Sequence, residues 1–141
     1  MEEFVIDTSV IVKWYVIPHE LGYPAAKVLL SSHTDGRCRL HIPMLALYES
    51  GNVLLQVGGS NGKRPFEHLA DLFALGLSIH PLTLPRATLA SELAQLFHLS
   101  FYDACFVALA QELALPLVTA DERLRRHTAA LPFVRPLTTT R

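Results

Sequence analysis

The 141-residue sequence predicts an α/β fold in which a mainly parallel sheet is covered by helices on both faces. Three observations carry that reading. Short β-branched or apolar runs alternate with longer segments of helical period along the whole chain. Half of the residues are apolar, which suits a packed core and rules against disorder. The length suffices for one proper core and not for two, so residues 1–141 are expected to form a single domain.

Phe4, Val5 and Ile6 make a first strand that stops at Asp7, and Thr8 or Ser9 can cap a helix over Val10 to Val16, which Pro18 ends. Pro24 opens a second helix, AAKVLLSSH, closed before Asp35 and Gly36. Cys38 to Ile42 reads as a second strand, and Pro43 as the start of a helix that carries Glu49 and Asn52 and breaks at Gly58 and Gly59. The stretch GGSNGKRP reads as the tip of a helical hairpin. Phe66 to Leu75 follows as a helix, Leu77 to Leu82 as a strand and Leu84 to Phe97 as a helix. Ser100 then caps a very apolar helix from Phe101 to Leu113. Residues LVT after Pro116 form a fourth strand, Asp121 to His127 a short arginine-rich helix, and Phe133 to Leu137 an edge strand.

Several function classes drop out. No apolar run is long enough to span a bilayer, and MEEFVID is acidic where a leader would be basic, so the chain is expected to be cytoplasmic and mature as written. Cys38 and Cys105 form no Cys-x-x-Cys, and Cys105 reads as a small core residue. The seven histidines form no His-Glu-x-x-His and no close pair in sequence, and each reads as a surface or packing residue. The net charge is −1, but Arg123, Arg125, Arg126, Arg135 and Arg141 load the last fifth of the chain. Beside an acidic pocket such arginines can hold phosphates that flank a scissile one; the competing reading is a solvated basic helix end.

The acids then become the centre of the argument. Sites in open α/β sheets lie beyond the carboxyl ends of the strands, where strand order reverses. Asp7 and Asp121 fall just there, Glu49 lies a turn or more into a helix after a strand, and Asp103 lies in the first turn of another. Each has a plainer reading. Asp7 and Asp121 can be helix caps, Asp103 can complete a Ser-x-x-Asp capping box with Ser100, and Glu49 can face solvent. Against these, Asp103 is the sole acidic or basic residue, histidine aside, between His98 and Glu112. Glu49 shares a face with Leu45, Ala46 and Val53, where no capping rule asks for it. Ser9 can orient Asp7, Asn52 can orient Glu49 or meet a phosphate, and Thr119 adds a hydroxyl near Asp121, while Glu122 diverges toward solvent. Together the four acids would form an all-oxygen pocket that stays ionised only with divalent cations.

The segments VIDTSVIVKW, PMLALYESGNVLL and LSFYDACFVALAQELALPLVTADERL resemble the signature segments of PIN domains, in particular the VapC-type ribonuclease toxins of toxin-antitoxin pairs. The resemblance runs from Phe4 to about Leu137. It implies a three-layer α/β/α sandwich, usually homodimeric. It also implies a catalytic, metal-holding quartet of Asp7, Glu49, Asp103 and Asp121 for Mg²⁺ or Mn²⁺, with Ser9, Asn52 and Thr119 as supporting positions. The implied activity is endonucleolytic cleavage of RNA, and the implied partner is a small antitoxin that covers the groove.

The expected reaction is attack by water on an RNA phosphodiester, leaving 5′-phosphate and 3′-hydroxyl ends, since no histidine or lysine pair is placed to activate the 2′-hydroxyl. A haloacid-dehalogenase-like phosphatase would need an aspartate where Ser9 stands, and a receiver domain a late lysine, whereas the lysines are Lys13, Lys27 and Lys63. The remaining rival is a PIN-like fold kept as an RNA-binding or dimerising scaffold.

Overall fold

The computed structural model describes residues 1–15, 22–58 and 62–138. Five strands, β1 (Glu2–Ile6), β2 (Cys38–Pro43), β3 (Ser78–His80), β4 (Leu117–Thr119) and β5 (Val134–Pro136), make one sheet in the order β3-β2-β1-β4-β5. Every neighbouring pair is parallel, with Val5 opposite both His41 and Leu117. The connecting helices are α1 (Thr8–Tyr15), α2 (Tyr23–Thr34), α3 (Leu45–Val57), α4 (Pro65–Ala74), α5 (Leu84–Phe97), α6 (Phe101–Leu113) and α7 (Glu122–His127). From β1 the sheet grows one way through β2 and β3, then the chain returns and grows the other way through β4 and β5. Right-handed crossovers put the helices of the two arms on opposite faces, giving the expected three-layer α/β/α sandwich.

Central strands covered on both faces should bury consecutive residues, and β1 does so with Phe4, Val5 and Ile6. Residues Ala104 to Ala110 of α6 are likewise all buried, as the unbroken apolar run requires. Ser100 caps this helix through its hydroxyl, which accepts the Asp103 N–H at 3.1 Å. Trp14 Nε1 donates to the Ala26 carbonyl at 2.8 Å and ties α1 to α2. Arg86 of α5 is buried and grips Glu112 of α6 with two bonds of 2.9 and 2.8 Å, while also donating to the Pro81 carbonyl. Among the described residues no single helix is long and apolar enough to cross a membrane.

The departures from expectation are local. Pro43 ends β2 rather than opening a helix, because its parallel pairing with His80 continues the ladder and α3 starts only at Leu45. The third strand pairs over Ser78–His80 alone, shorter than Leu77 to Leu82, since an edge strand has a partner on one side only. The fifth pairs over Val134–Pro136 instead of Phe133 to Leu137. The first helix begins at Thr8, so Thr8 is helical rather than a cap. Its expected end at Val16 and Pro18, residues 59–61 of the GGSNGKRP tip, and Arg141 lie outside the described residues. His41 and His80, distant in sequence, do pair: His41 Nδ1 lies 2.9 Å from His80 Nε2, and His41 Nε2 lies 2.8 Å from Glu3 Oε1.

Candidate active site

Strand β1 ends at Ile6, and Asp7 is the first residue beyond it, at the point where the sheet changes direction. It is only 7% exposed, a costly place for a carboxylate, and its oxygens are met by donors. Ser9 N–H donates to Oδ1 and the Thr119 hydroxyl to Oδ2, each at 2.5 Å. Ser9 thus orients Asp7 through its main chain, while its hydroxyl accepts the Ala120 N–H at 2.9 Å and so braces the end of β4. Burial pushes the Asp7 carboxyl up, and the charge of Asp121 adds to the rise against the lowering effect of these hydrogen bonds.

Glu49 lies one turn into α3, half-buried rather than facing solvent. Its partner is Thr8 of α1, whose hydroxyl donates to Oε1 at 2.7 Å. From the sequence Asn52 could orient Glu49 or meet a phosphate, and Thr8 was missed. Among the described residues Asn52 makes no hydrogen bond to Glu49; it is exposed and lines the same cleft. Nothing local signals the Thr8 contact, because the two residues meet only through the packing of α1 on α3. Burial raises the Glu49 carboxyl, and the charges of Asp7 and Asp103 raise it further.

Asp103 sits in the first turn of α6, and Asp121 is the N-cap of α7, its Oδ1 accepting from Arg123 N–H at 2.9 Å and Leu124 N–H at 3.2 Å. Asp121 thus caps α7 through its carboxylate, while at α6 the cap is the Ser100 hydroxyl, which accepts the Asp103 N–H, and neither bond removes these acids from the site. Burial and the charge of Asp121 raise the Asp103 carboxyl, while Ser100, Arg123 and His127 pull it down. Glu122 points away, exposed and paired with Arg125 at 2.8 Å, as expected.

One cleft of about 300 Å³ gathers these groups: Asp7, Ser9, Glu49, Asn52, Asp103 and Asp121 all line it, with Thr8. Thr119 stands behind them, fully buried, its hydroxyl donating to Asp7 and accepting the Asp121 N–H at 3.0 Å. No ion pair among the described residues involves any of the four acids. A donor set made of carboxylates and hydroxyls, with three of its carboxyls raised in part by their neighbours' charges, suits a hard divalent cation. Among the described residues no three His, Cys, Asp or Glu side chains form a ready cage for an ion. An all-oxygen donor set of this kind does not match a closed zinc-type site of Cys and His ligands.

The PIN domain family model matches residues 4–130. The chain belongs to the PIN domain family. No curated protein matches it by sequence. Among solved structures this PIN domain is similar to a toxin-antitoxin complex from Klebsiella pneumoniae, at 18% identity and TM-score 0.68 over 96% of each chain. It is similar to VapC20 of Mycobacterium tuberculosis, a toxin that cleaves the sarcin-ricin loop, at 18% identity and TM-score 0.67 over 94% of this chain and 99% of that one. It also resembles PAE2754 from Pyrobaculum aerophilum, at 23% identity and TM-score 0.65 over 96% and 91% of the two chains. At these identities the likeness is one of fold.

Proposed function

We propose that this PIN domain, taken as one domain over residues 1–141, is a divalent-cation-dependent endoribonuclease acting in the cytoplasm as the toxin of a type II toxin-antitoxin pair. The observation that carries the reading is the cleft itself. Four acids from four separate elements line it, unpaired with any base, and the charges of neighbouring acids help raise the carboxyls of Asp7, Glu49 and Asp103. A scaffold has no use for that electrostatic strain; a cation-loaded hydrolase does. The fold shared with toxins of such pairs supports the biological part of the proposal.

In this reading Asp7, Asp103 and Asp121 hold Mg²⁺ or Mn²⁺, and Glu49 completes the shell or positions the attacking water. The bound ion supplies an activated water and neutralises charge on the phosphoryl oxygens. Thr119 and the Ser9 main chain fix the Asp7 carboxylate in place, and Thr8 fixes Glu49, so the acids need not rearrange when RNA arrives. The products carry 5′-phosphate and 3′-hydroxyl ends.

Partners are part of the same proposal: an RNA substrate, a small cognate antitoxin and a second copy of the chain. An apolar groove of about 270 Å³ next to the acids, bordered by the exposed Met44, Tyr48, Leu82 and Tyr102, supports a protein neighbour on that face. The test is cleavage of cellular RNA by the wild type and by Asp7→Asn, with and without Mg²⁺ or Mn²⁺, followed by end mapping. Equal cutting by both proteins, or cutting that ignores chelation, overturns the mechanism.

A further inference from the structure

Asp103 faces two ways. On one side lies the acidic cleft; on the other a small polar pocket of about 50 Å³ between α5, α6 and α7, lined by His98, Ser100, Asp103, Arg123 and His127. Arg123 and His127 stand four residues apart on α7 and so share one face of that short helix. The cap bonds from Asp121 to Arg123 N–H and Leu124 N–H fix the start of this helix, which places Arg123 beside the acids by construction. His127 Nδ1 lies 3.1 Å from the Phe97 carbonyl, which can only accept, so Nδ1 carries the donated proton and Nε2 is left for the pocket.

Their ion-pair partners separate the arginines. Arg125 is taken by Glu122 at 2.8 Å and Arg86 by Glu112. Arg123 and Arg126 form no ion pair among the described residues. Arg123 lines the same small pocket as Asp103, yet it does not close a salt bridge onto it. A guanidinium held beside a carboxylate that is itself destined for a cation is left with donors to offer an anion, and its planar fork suits a phosphate better than a lysine would.

We propose that Arg123, flanked by His98 and His127, forms a subsite for an RNA phosphate adjacent to the one that is cut. The inference rests on the ribonuclease reading and assigns that enzyme's grip on the substrate backbone to one arm of the cleft. The subsite contacts a phosphate and no base, so its effect is the same for every sequence.

The test uses a short single-stranded RNA, with binding read by fluorescence anisotropy in an Asp7→Asn background across a salt series. Adding Arg123→Ala is expected to weaken binding about threefold to tenfold and to flatten the slope of log affinity against log salt by about 0.7, one contact's worth for a single strand. Arg123→Lys should keep most of the slope, and Arg126→Ala should leave it unchanged. An unaltered slope in Arg123→Ala, or an equal loss in Arg126→Ala, overturns the proposal in favour of diffuse attraction. Failure of the nuclease reading shows separately, as the same RNA left uncut by the wild type with Mg²⁺ or Mn²⁺, and leaves the slopes in the Asp7→Asn background readable.

Discussion

The Thr119 hydroxyl reaches across 112 positions of sequence to donate to Asp7 Oδ2 at 2.5 Å. Its oxygen also accepts the Asp121 N–H at 3.0 Å, so a single side chain at the end of β4 holds two of the four acids in register. Because the parallel ladder sets Ile6 beside Val118, the residues that follow each strand are brought side by side with no further design.

Thr119→Val keeps the shape and removes both bonds. The buried Asp7 carboxylate then loses a donor and the Asp121 N–H loses its acceptor, a cost of about 2 kcal/mol. Chemical denaturation should show that loss, and Thr119→Ser should recover most of it. A valine variant as stable as the wild type would mean that the bond contributes nothing net.

Asp7, Glu49 and Asp103 all have carboxyls raised above their ordinary values. The folded protein therefore binds these protons more tightly than the unfolded chain, so they cost stability above their raised values and return it as the pH falls through them. Glu3 and Glu112 act oppositely, since bonds to His41 and Arg86 lower them and their contribution is lost in acid. Asp103→Asn removes one raised group. Without divalent cation it should melt higher than the wild type at neutral pH, with the margin shrinking as pH falls through the carboxylate range. A margin that grows in acid would contradict the repulsion inferred in the cleft.

Divalent cation should relieve the same repulsion. Mg²⁺ or Mn²⁺ is expected to raise the melting temperature of the wild type, by the equivalent of about 2.7 kcal/mol at a hundred times the dissociation constant. The gain should vanish in Asp103→Asn; an undiminished gain would take Asp103 out of the ligand set.

Arg86 tests the scaffold away from the acids. Arg86→Ala leaves Glu112 without its fork and the Pro81 carbonyl without a donor, loosening α5 from α6. The expected loss is about 2 kcal/mol, below that of a fully buried pair because the Glu112 side chain is 42% exposed. A change within a few tenths, measured by denaturant unfolding, would show that the pair is carried by solvent.

Elements written in local chemistry were legible in the sequence. The apolar run of α6, the Ser100 cap and the strand stopping at Asp7 needed only period, composition and capping residues. Elements fixed by partners were not. Pro43 extends β2 because His80 stands opposite it, and proline's usual place at a helix start pointed the other way. The same division runs through the site. Asp7, Glu49, Asp103 and Asp121 could be singled out one by one, whereas their shared cleft, the Thr8 bond to Glu49 and the pairing of His41 with His80 exist only once helices and strands have packed. His127 escaped notice beside Asp103 for that reason: it lies past the segment LSFYDACFVALAQELALPLVTADERL, and only the packing of α7 brings it to the pocket.

The order in which the acids occur along the polypeptide has a consequence during synthesis. Asp7 is made first and Asp121 last, and the hydroxyl that aligns them comes from Thr119. A nascent chain still waiting for β4 can have neither the brace nor the fourth acid. The four-acid cleft is thus complete only once nearly the entire polypeptide has emerged and closed its sheet.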